Sequence, residues 1–316
     1  MKAIVQKEYG APDVLKLEEV DKPVVKENDV LVRVHAAALN AGDCFSMRGR
    51  PWPVRFFVGF PKPKNHIPGW DVAGHVVEVG KNVKRCQPDD EVFGLCSGTL
   101  AEYACAAEDR FVLKPANLTF EQAAAVPTAA LTALQGLRDA GKVQPGQRVL
   151  INGASGGVGT FAVQIAKSLG ADVTGVCSTR NVELVRSLGA DHVIDYTQED
   201  FTGSRQRYDL IFDNVGNRSF SDCRRALTPN GSLLPNTGHA GMGYVIMAFA
   251  LSIFVRQQGR PFIAASNTKD LLVLKDLIEA GKVAPVIDRT YQLSETPEAL
   301  AYVGEGHARG KVVIIM

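Results

Sequence analysis

The chain has 316 residues, of which 46% are hydrophobic and 22% charged, and its formal net charge is +1. This is the composition of an ordinary globular protein, and the length predicts two domains of roughly 150 residues each. The balanced charge argues against nucleic acid as a partner. The most apolar window, residues 244–255, is shorter than the roughly 20 residues that a helix needs to cross a bilayer, so we expect no membrane insertion.

Cysteine usage and the first ten residues indicate the compartment. The six cysteines are Cys44, Cys86, Cys96, Cys105, Cys177 and Cys223. None belongs to a CxxC pair, which is typical of reduced thiols. Residues 1–10 carry charges and lack the apolar stretch of a secretory signal. We therefore expect a cytoplasmic protein.

The first third of the chain is rich in β-branched residues and turns. Short β-branched runs bounded by Gly, Pro, Asp or Asn predict strands at residues 3–5, 30–36, 72–79 and 91–93. Residues 42–68 are rich in proline and glycine and predict a long loop over the surface. Loops of that length in compact domains usually have a function.

The pattern changes at Thr119, which we expect to cap a helix over residues 121–140. Strands and helices then alternate, which implies crossover connections and a parallel, doubly wound sheet. The predicted strands are residues 148–152, 172–177, 192–195, 208–214, 231–234 and 261–265, and the helices are 158–169, 181–188 and 220–227.

The end of the chain breaks this alternation. It predicts a helix over residues 269–280, a strand over 283–287, a short helix over 297–303 and a last strand over 311–315. The two ends of the chain therefore belong together, with the doubly wound domain inserted between them.

The strongest local motif is the run Ala154, Ser155, Gly156, Gly157, Val158, Gly159. It follows a predicted strand and opens a predicted helix, and small residues there permit a tight turn and the approach of a pyrophosphate to the backbone. The helix N-terminus offers unpaired N–H groups to the phosphates. The alternative is a glycine-rich turn that only packs a helix on a sheet.

The end of the second predicted strand distinguishes the two nicotinamide dinucleotides. An NAD site usually carries an acid about 20 residues beyond the loop. Here the chain has Ser178 and Arg180 instead, which suit a 2′-phosphate. NADP(H) is therefore the expected cofactor, although Arg180 could also be a solvated residue of the next helix.

These motifs together resemble the medium-chain dehydrogenase/reductase superfamily, and within it the zinc-independent quinone oxidoreductase branch. The resemblance covers essentially the whole chain. Besides the glycine loop, it rests on NAGD at residues 40–43, PGWDVAG at 68–74, DDEVFG at 89–94, residues 124–134, LGAD at 188–191 and GKVV at 310–313. It implies an α/β protein with a β-rich GroES-like catalytic domain (residues 1–120 and 268–316), a Rossmann cofactor domain (residues 121–267) and an active site in the cleft between them.

The resemblance also bears on metal binding. Zinc-dependent members take their catalytic metal from a Cys, a His and a second Cys, a set that suits zinc. The corresponding positions here are Asn40, Trp70 with Asp71 beside it, and about Thr128, none of them a good zinc ligand. We expect no metal. His35 and His75 lie in strand-like runs and are more simply packed or rim histidines.

Roles for individual residues are likewise implied by the resemblance. Asn40 would line the substrate side of the nicotinamide, Asp43 would brace its loop, and Thr132 would lie beside the nicotinamide. Further cofactor contacts are expected from Tyr196, Asn214, Val215, Gly216 and Lys311. Each catalytic candidate has a structural alternative, because Asn and Asp also cap turns and Thr bonds back within helices.

Phe45, Trp52 and His66 are the candidates on the substrate side. Phe45 stands where some relatives have a tyrosine as proton donor, so no general acid is assigned. Trp52, with Phe56, Phe57 and Phe60, forms either an apolar substrate wall or a surface buried by the cofactor domain or a partner subunit. The apolar residues 248–255 are a second candidate for a dimer surface, and we expect a homodimer.

A site without metal favours substrates that accept hydride readily, such as quinones and α,β-unsaturated carbonyl compounds. The protein then has to position the nicotinamide and donate hydrogen bonds to the developing oxyanion. Three alternatives remain: an enoyl-thioester reductase, for which Arg48, Arg50 and Arg55 would bind phosphates; a catalytically silent cofactor-binding protein; and a zinc alcohol dehydrogenase.

Overall fold

The structure is a computed structural model that describes residues 1–236, 257–260 and 262–316. The backbone divides into two compact units, which we describe separately. The first comprises Met1–Ala129, Ser266–Gly281 and Pro285–Met316, and the second Ala130–Ala265 and Lys282–Ala284. The domain limits predicted from the sequence pattern, near residues 120 and 268, stay a prediction.

A seven-stranded sheet forms the centre of the first unit. In its longest strand, β3, the side chains of Val30, Val32 and Val34 share one face, are buried and pack with residues of neighbouring strands in one core. A separate hairpin pairs the first two strands. The strands of this unit are β1 (Lys2–Gln6), β2 (Leu15–Glu19), β3 (Asp29–Leu39), β4 (Asp71–Val79), β5 (Glu91–Leu95), β6 (Tyr103–Ala107), β7 (Phe111–Leu113), and, late in the chain, β14 (Ile287–Gln292) and β15 (Lys311–Ile315).

The predicted surface loop over residues 42–68 is partly wrong. It contains helix α1 (Ala41–Arg48), a 3₁₀ turn (Trp52–Val54) and the short helix α2 (Arg55–Val58). The first helix begins because the Asp43 carboxylate accepts the backbone N–H of Asn40 at 2.7 Å. It ends at Gly49, whose φ of 57° is a left-handed conformation that glycine adopts without strain.

The helix predicted over residues 121–140 is broken into three pieces. Thr119 caps the first as expected, since its hydroxyl accepts the N–H of Gln122 while the Gln122 side chain accepts the N–H of Thr119. The break precedes Pro127, which lacks the N–H that a continuous helix needs. The pieces are α3 (Phe120–Ala124), α4 (Pro127–Gln135) and a π-helical turn (Gly136–Ala140).

The second unit contains a six-stranded parallel sheet with the order β10-β9-β8-β11-β12-β13. Numbered within the sheet, this order is 3-2-1-4-5-6, that of a Rossmann fold, and it confirms the predicted fold class. The elements are β8 (Arg148–Asn152), α5 (Gly157–Ser168), β9 (Asp172–Cys177), α6 (Val182–Ser187), β10 (His192–Asp195), β11 (Tyr208–Asp213), α7 (Phe220–Ala226), β12 (Leu227–Pro235) and β13 (Gln258–Gly259).

Two predicted strands lie elsewhere. The sixth strand of the parallel sheet is β13 rather than residues 261–265, of which 262–265 are irregular. Gln135 explains this, because its side chain donates to the Ala265 carbonyl and accepts the Ala265 N–H, each at 2.8 Å, so neither group is left for a neighbouring strand. In the same way the Gln164 side chain hydrogen-bonds both the carbonyl and the N–H of Ala284. The strand predicted over residues 283–287 therefore begins only at Ile287.

The remaining helices in the part of the chain that the structure describes are α8 (Thr268–Glu279) and α9 (Thr296–Gly304), close to the predicted bounds. Asn267 caps α8 by accepting the N–H of Asp270 at 2.8 Å. Among the described residues, no helix has the length and apolarity to cross a membrane. The apolar window at residues 244–255 and the dimer surface expected at 248–255 lie outside the described residues.

Candidate active site

The glycine loop lies between β8 and α5, as predicted. Gly153 has a φ of 76°, and a Cβ at Gly159 would lie 2.0 Å from the Gly153 carbonyl oxygen, so both positions require glycine. Gly156 is the N-cap of the 12-residue helix α5. The loop thus presents a helix N-terminus without side chains that would block an approaching phosphate.

The end of β9 lies beside this loop. Asn181, only 5% exposed, donates from Nδ2 to Ser155 Oγ at 2.9 Å and to Ser178 Oγ at 3.3 Å. Its Oδ1 is buried without a hydrogen-bond partner among the described residues. Asn181 therefore ties the two candidate phosphate-binding segments together. Sequence reasoning missed it, because an Asn at the start of a helix is typical of an ordinary cap.

Two other residues expected near the adenosine phosphate, Arg180 and Tyr196, lie next to the carboxyl end of β9. Arg180 belongs to the 3₁₀ turn Thr179–Asn181, directly after β9. Tyr196 is half exposed, and its N–H donates to the Cys177 carbonyl at 3.0 Å. Nearby Asp195 accepts from Thr197, and hydrogen bonds from Thr179 and Thr197 hold the pKa of Asp195 below its ordinary value.

A second set of predicted cofactor residues lies where the strand order reverses, at the carboxyl ends of β8 and β11. The Asp213 carboxylate, 1% exposed, accepts the N–H groups of Val215 at 3.1 Å and Gly216 at 2.9 Å. Asn152 Nδ2 also donates to it, at 2.8 Å. This edge of a parallel sheet is where ligands bind in such folds. Sequence reasoning named the turn but missed Asp213 and Asn152, which shape it.

Asn214 is held at the same edge from two sides. Its Nδ2 donates to the Asn152 carbonyl at 3.1 Å, and its Oδ1 accepts from Asn236 at 2.7 Å. Thr132 lies on α4 and is 9% exposed. A contact of either residue with the nicotinamide stays a prediction.

In the first unit, a buried ion pair joins residues far apart in sequence. The Lys311 ammonium, at the start of β15, is 2% exposed and lies 3.3 Å from Asp71 Oδ2 on β4, whose side chain is fully buried. It also donates to the Leu39 carbonyl at 3.0 Å and to Asn40 Oδ1. All three N–H groups of the ammonium are therefore used inside the protein. The structure gives Lys311 these partners, and its expected contact with the cofactor stays a prediction.

Asp71 links the remaining members of this network. Its Oδ1 accepts the backbone N–H of Thr128 at 3.0 Å and the Thr128 hydroxyl, and its Oδ2 accepts Asn40 Nδ2 at 3.0 Å. Asn40 and Thr128, which the resemblance places at two metal-ligand positions of zinc-dependent relatives, thus meet at the Asp71 carboxylate, while Trp70 stands at the third position. Trp70 takes no part and lies against Gly42, where a Cβ would be 2.8 Å from its ring.

Asp43 lies beside this network. It is 3% exposed, and burial raises its pKa to about 7, with the nearby Asp71 charge adding to the shift and the Asn40 N–H and Lys311 opposing it. Its carboxylate accepts the backbone N–H of Asn40 and thereby fixes the backbone that carries the Asn40 side-chain amide.

Comparison with known proteins agrees with this geometry. Residues 26–116 match the family model described as the alcohol dehydrogenase GroES-like domain, and residues 188–314 match the one described as zinc-binding dehydrogenase. A 2-methylene-furan-3-one reductase of Solanum lycopersicum is 37% identical over 99% of this chain and 79% of its own. The chain belongs to the medium-chain dehydrogenase/reductase superfamily.

Two further members of this superfamily define the branch. An NADPH-dependent alkenal/one oxidoreductase of Arabidopsis thaliana, a chloroplastic protein, is also 37% identical over 99% of this chain and 79% of its own. The structure of the quinone oxidoreductase from Coxiella burnetii superposes with a TM-score of 0.90 at 32% identity and covers 100% of this chain and 99% of that one. The predicted quinone oxidoreductase-like branch is confirmed.

The candidate substrate residues Phe45, Trp52 and His66 belong to α1 and to the segment between α1 and β4. Trp52 and Phe60 are exposed, and the Trp52 ring meets Phe56 at 4.9 Å and Phe60 at 6.1 Å. His66 is exposed, and its carbonyl accepts the Gln6 N–H. Phe45 lies on α1, half-buried. Their contact with substrate stays a prediction.

The two strand histidines bind each other. His75 Nδ1 lies 2.9 Å from His35 Nε2, and the His35 ring stacks on Phe120 at 4.4 Å. Burial lowers the pKa of His35, and the neighbouring His75 lowers it further. Within the described ranges, no three His, Cys, Asp or Glu side chains cluster as metal ligands would.

Proposed function

We propose that this protein is an NADPH-dependent reductase that transfers hydride to quinones or to the conjugated double bond of α,β-unsaturated carbonyl compounds. Two relatives that are 37% identical over 99% of the chain are named for such substrates, a furanone with an exocyclic double bond and alkenals or alkenones. The observation that carries the proposal is the buried Lys311–Asp71 pair with Asn40 beside it. The resemblance places Asn40 at one of the positions that bind metal in zinc-dependent relatives.

We further propose that catalysis is independent of zinc. Structural and catalytic zinc sites use thiolate, imidazole and carboxylate ligands. Asn40 and Thr128 supply an amide and a hydroxyl, and Asp71, the one carboxylate, already accepts from Thr128, Asn40 and Lys311. The positive charge of the Lys311 ammonium would also repel a divalent cation at this carboxylate. This donor set does not suit zinc, and without a Lewis acid the favoured acceptors are those that spread charge onto a distant oxygen.

NADP(H) fits the second unit. The glycine loop and the N-terminus of α5 suit a diphosphate, and no acid stands at the end of β9, where Ser178 and Arg180 suit a 2′-phosphate. Asn181, whose amide nitrogen donates to both Ser155 and Ser178, holds these two candidate phosphate-binding segments together. Tyr196 is exposed beside the end of β9 and is proposed to contact the adenosine phosphate.

Each residue then has a defined task. The bound cofactor supplies the hydride, and the protein supplies binding, orientation and electrostatic stabilisation. Asp213 holds the turn Asn214–Gly216 in the shape proposed to support the nicotinamide. Thr132 is proposed to contact the nicotinamide as well. Asn40 donates from Nδ2 to the oxygen on which negative charge develops. Water protonates the α-carbon of the resulting enolate, or the oxygen of the resulting hydroquinonate.

We also propose that the protein forms a homodimer and that it lies in the cytoplasm. The exposed aromatic cluster of Trp52, Phe56 and Phe60 supports a homodimer, because monomers rarely expose such patches. The six free cysteines support the cytoplasm, since thiols persist in a reducing compartment. Light scattering on the purified protein distinguishes a dimer from a monomer.

A substrate panel tests the function. The purified protein is treated with a chelator, and its zinc content is measured. NADPH oxidation is then followed with an alkyl enone, a benzoquinone and an enoyl thioester, and NADP⁺ reduction is followed with a simple primary alcohol. We expect turnover of enone or quinone without zinc. Preference for the thioester would indicate an enoyl-thioester reductase, for which Arg48, Arg50 and Arg55 were candidates. Loss of rate on chelation, restored by zinc, would refute the metal-free site.

A further inference from the structure

We propose that Lys311 is a positioning residue for the reduction, and that its buried charge acts on substrate through the Asn40 amide. This rests on the proposed function, in which Asn40 donates to the substrate oxygen. The charge of Lys311 then lies beside Asn40, one of the positions that bind metal in zinc-dependent relatives, without contacting substrate itself.

The chemistry of the two charged groups fixes the orientation of the Asn40 amide. An ammonium can only donate hydrogen bonds and a carboxylate can only accept them. Asn40 Oδ1 therefore faces Lys311, and Nδ2 faces Asp71 at 3.0 Å. A flipped amide would place an N–H against the ammonium and an oxygen against the carboxylate, so the electrostatics exclude it.

This orientation leaves one donor for substrate. Asp71 takes one N–H of Asn40 Nδ2, and the described residues supply no partner for the other. The charge-assisted bond at Oδ1 withdraws electron density from the amide and strengthens its N–H groups as donors. Asn40 is half-buried, whereas Lys311 is 2% and Asp71 0% exposed. The amide is thus the accessible end of a network whose charges are inaccessible.

A double-mutant cycle tests the inference. Lys311→Met/Asp71→Asn removes both charges, so that no buried carboxylate is left unpaired. The matched control is Lys114→Met/Glu91→Gln, because the Lys114 side chain is only 6% exposed, pairs with Glu91 at 3.0 Å and donates to the carbonyls of Pro115 and Leu118. Both pairs are combined with Asn40→Ala. We measure kcat and KM for an enone, the Kd for NADPH and the melting temperature.

We expect Lys311→Met/Asp71→Asn to lower kcat about 100-fold, the effect of losing one well-placed oxyanion donor. Because the three N–H groups of the ammonium have partners inside the protein, we expect the Kd for NADPH to change less than twofold, in contrast to the cofactor contact expected for Lys311 from the sequence. Adding Asn40→Ala should cause no further loss, because both changes remove the same donor. The Lys114 control should leave kcat within threefold. Should the methionine variant unfold, Lys311→Gln/Asp71→Asn keeps hydrogen-bonding groups at both positions, and the same loss is expected.

Two results would overturn the inference: an unchanged kcat in the charge-removed variant, or losses that multiply when Asn40→Ala is added. The wild-type protein separates this failure from that of the proposed function. Absence of NADPH-dependent enone or quinone turnover in the wild type refutes the function, whereas an active wild type with either of those results refutes only the role of Lys311.

Discussion

The Asp213 carboxylate lies 2.9 Å from the backbone nitrogen of Gly216, three residues further along the chain. Gly216 has a φ of 72°, so the turn after β11 combines a left-handed glycine with a buried acceptor on its inner side. Asn152, at the end of the neighbouring strand β8, donates to the same carboxylate oxygen. One buried carboxylate therefore shapes the edge at which the nicotinamide is proposed to bind.

Replacing this carboxylate should weaken both stability and cofactor binding. In Asp213→Ala, three donors lose a common acceptor, and we expect the free energy of unfolding to fall by about 2–3 kcal/mol. We also expect NADPH to bind at least tenfold more weakly, because the turn Asn214–Gly216 loses its shape. Urea unfolding and NADPH fluorescence titration measure the two effects.

Asp209 provides the matched control on the opposite end of β11. Its carboxylate accepts the Arg148 N–H at 2.9 Å and the Thr228 hydroxyl at 3.2 Å. Asp209→Ala should therefore lower stability but leave the Kd for NADPH unchanged. If both variants weaken NADPH binding equally, the effect of Asp213 is general destabilisation and its role at the cofactor edge is rejected.

Arg180 should determine the preference for NADPH over NADH. Removing one charge-assisted contact with a 2′-phosphate should weaken NADPH binding about tenfold, equivalent to about 1.4 kcal/mol. NADH, which lacks that phosphate, should bind Arg180→Ala as it binds the wild type. Arg186→Ala is the control, because Arg186 is exposed and pairs with Glu183. Equal affinity of the wild type for the two dinucleotides would reject the assignment.

The His35–His75 pair should make stability depend on pH. The pKa of His35 is lowered from its ordinary value of 6.5, so the unfolded chain binds more protons than the folded one at mildly acidic pH. Stability contributed by this histidine is then complete above pH 6.5 and is lost as the pH falls toward the lowered pKa.

Urea unfolding between pH 7.5 and 5.5 measures this dependence. His35→Gln should flatten it, because the glutamine has no proton to gain. His192→Gln is the control, since His192 is exposed and lies 3.7 Å from Asp172. An identical pH dependence in the wild type and in His35→Gln would show that other groups are responsible.

How much of the molecule the sequence predicts depends on how local the signal is. The glycine loop was placed correctly because the strand, the turn and the helix follow one another within residues 148–168. The break before Pro127 is also a local signal, but the pattern of residues 121–140 favoured one continuous helix. The helix after Asn40 is local too, but the prolines and glycines of residues 42–68 favoured a loop. In the second case the Asp43 cap outweighed the composition of the segment.

Long-range polar contacts are what the sequence does not reveal. Nothing around residue 311 indicates that its lysine faces Asn40, 271 positions earlier, rather than a phosphate. The strands predicted at 261–265 and 283–287 failed for a related reason. The side chains of Gln135 and Gln164 occupy the backbone groups that a neighbouring strand would need, and each lies 120 or more positions away in sequence.

The fate of the hydride tests the central claim most directly. NADPH carrying deuterium at C4 of the nicotinamide is incubated with the chelator-treated protein and an alkyl enone, and the product is analysed by mass spectrometry and NMR. We predict a saturated ketone with one deuterium on the former β-carbon and a solvent proton on the α-carbon. Deuterium on the carbinol carbon of an allylic alcohol would contradict this account, because it would show direct reduction of the carbonyl group.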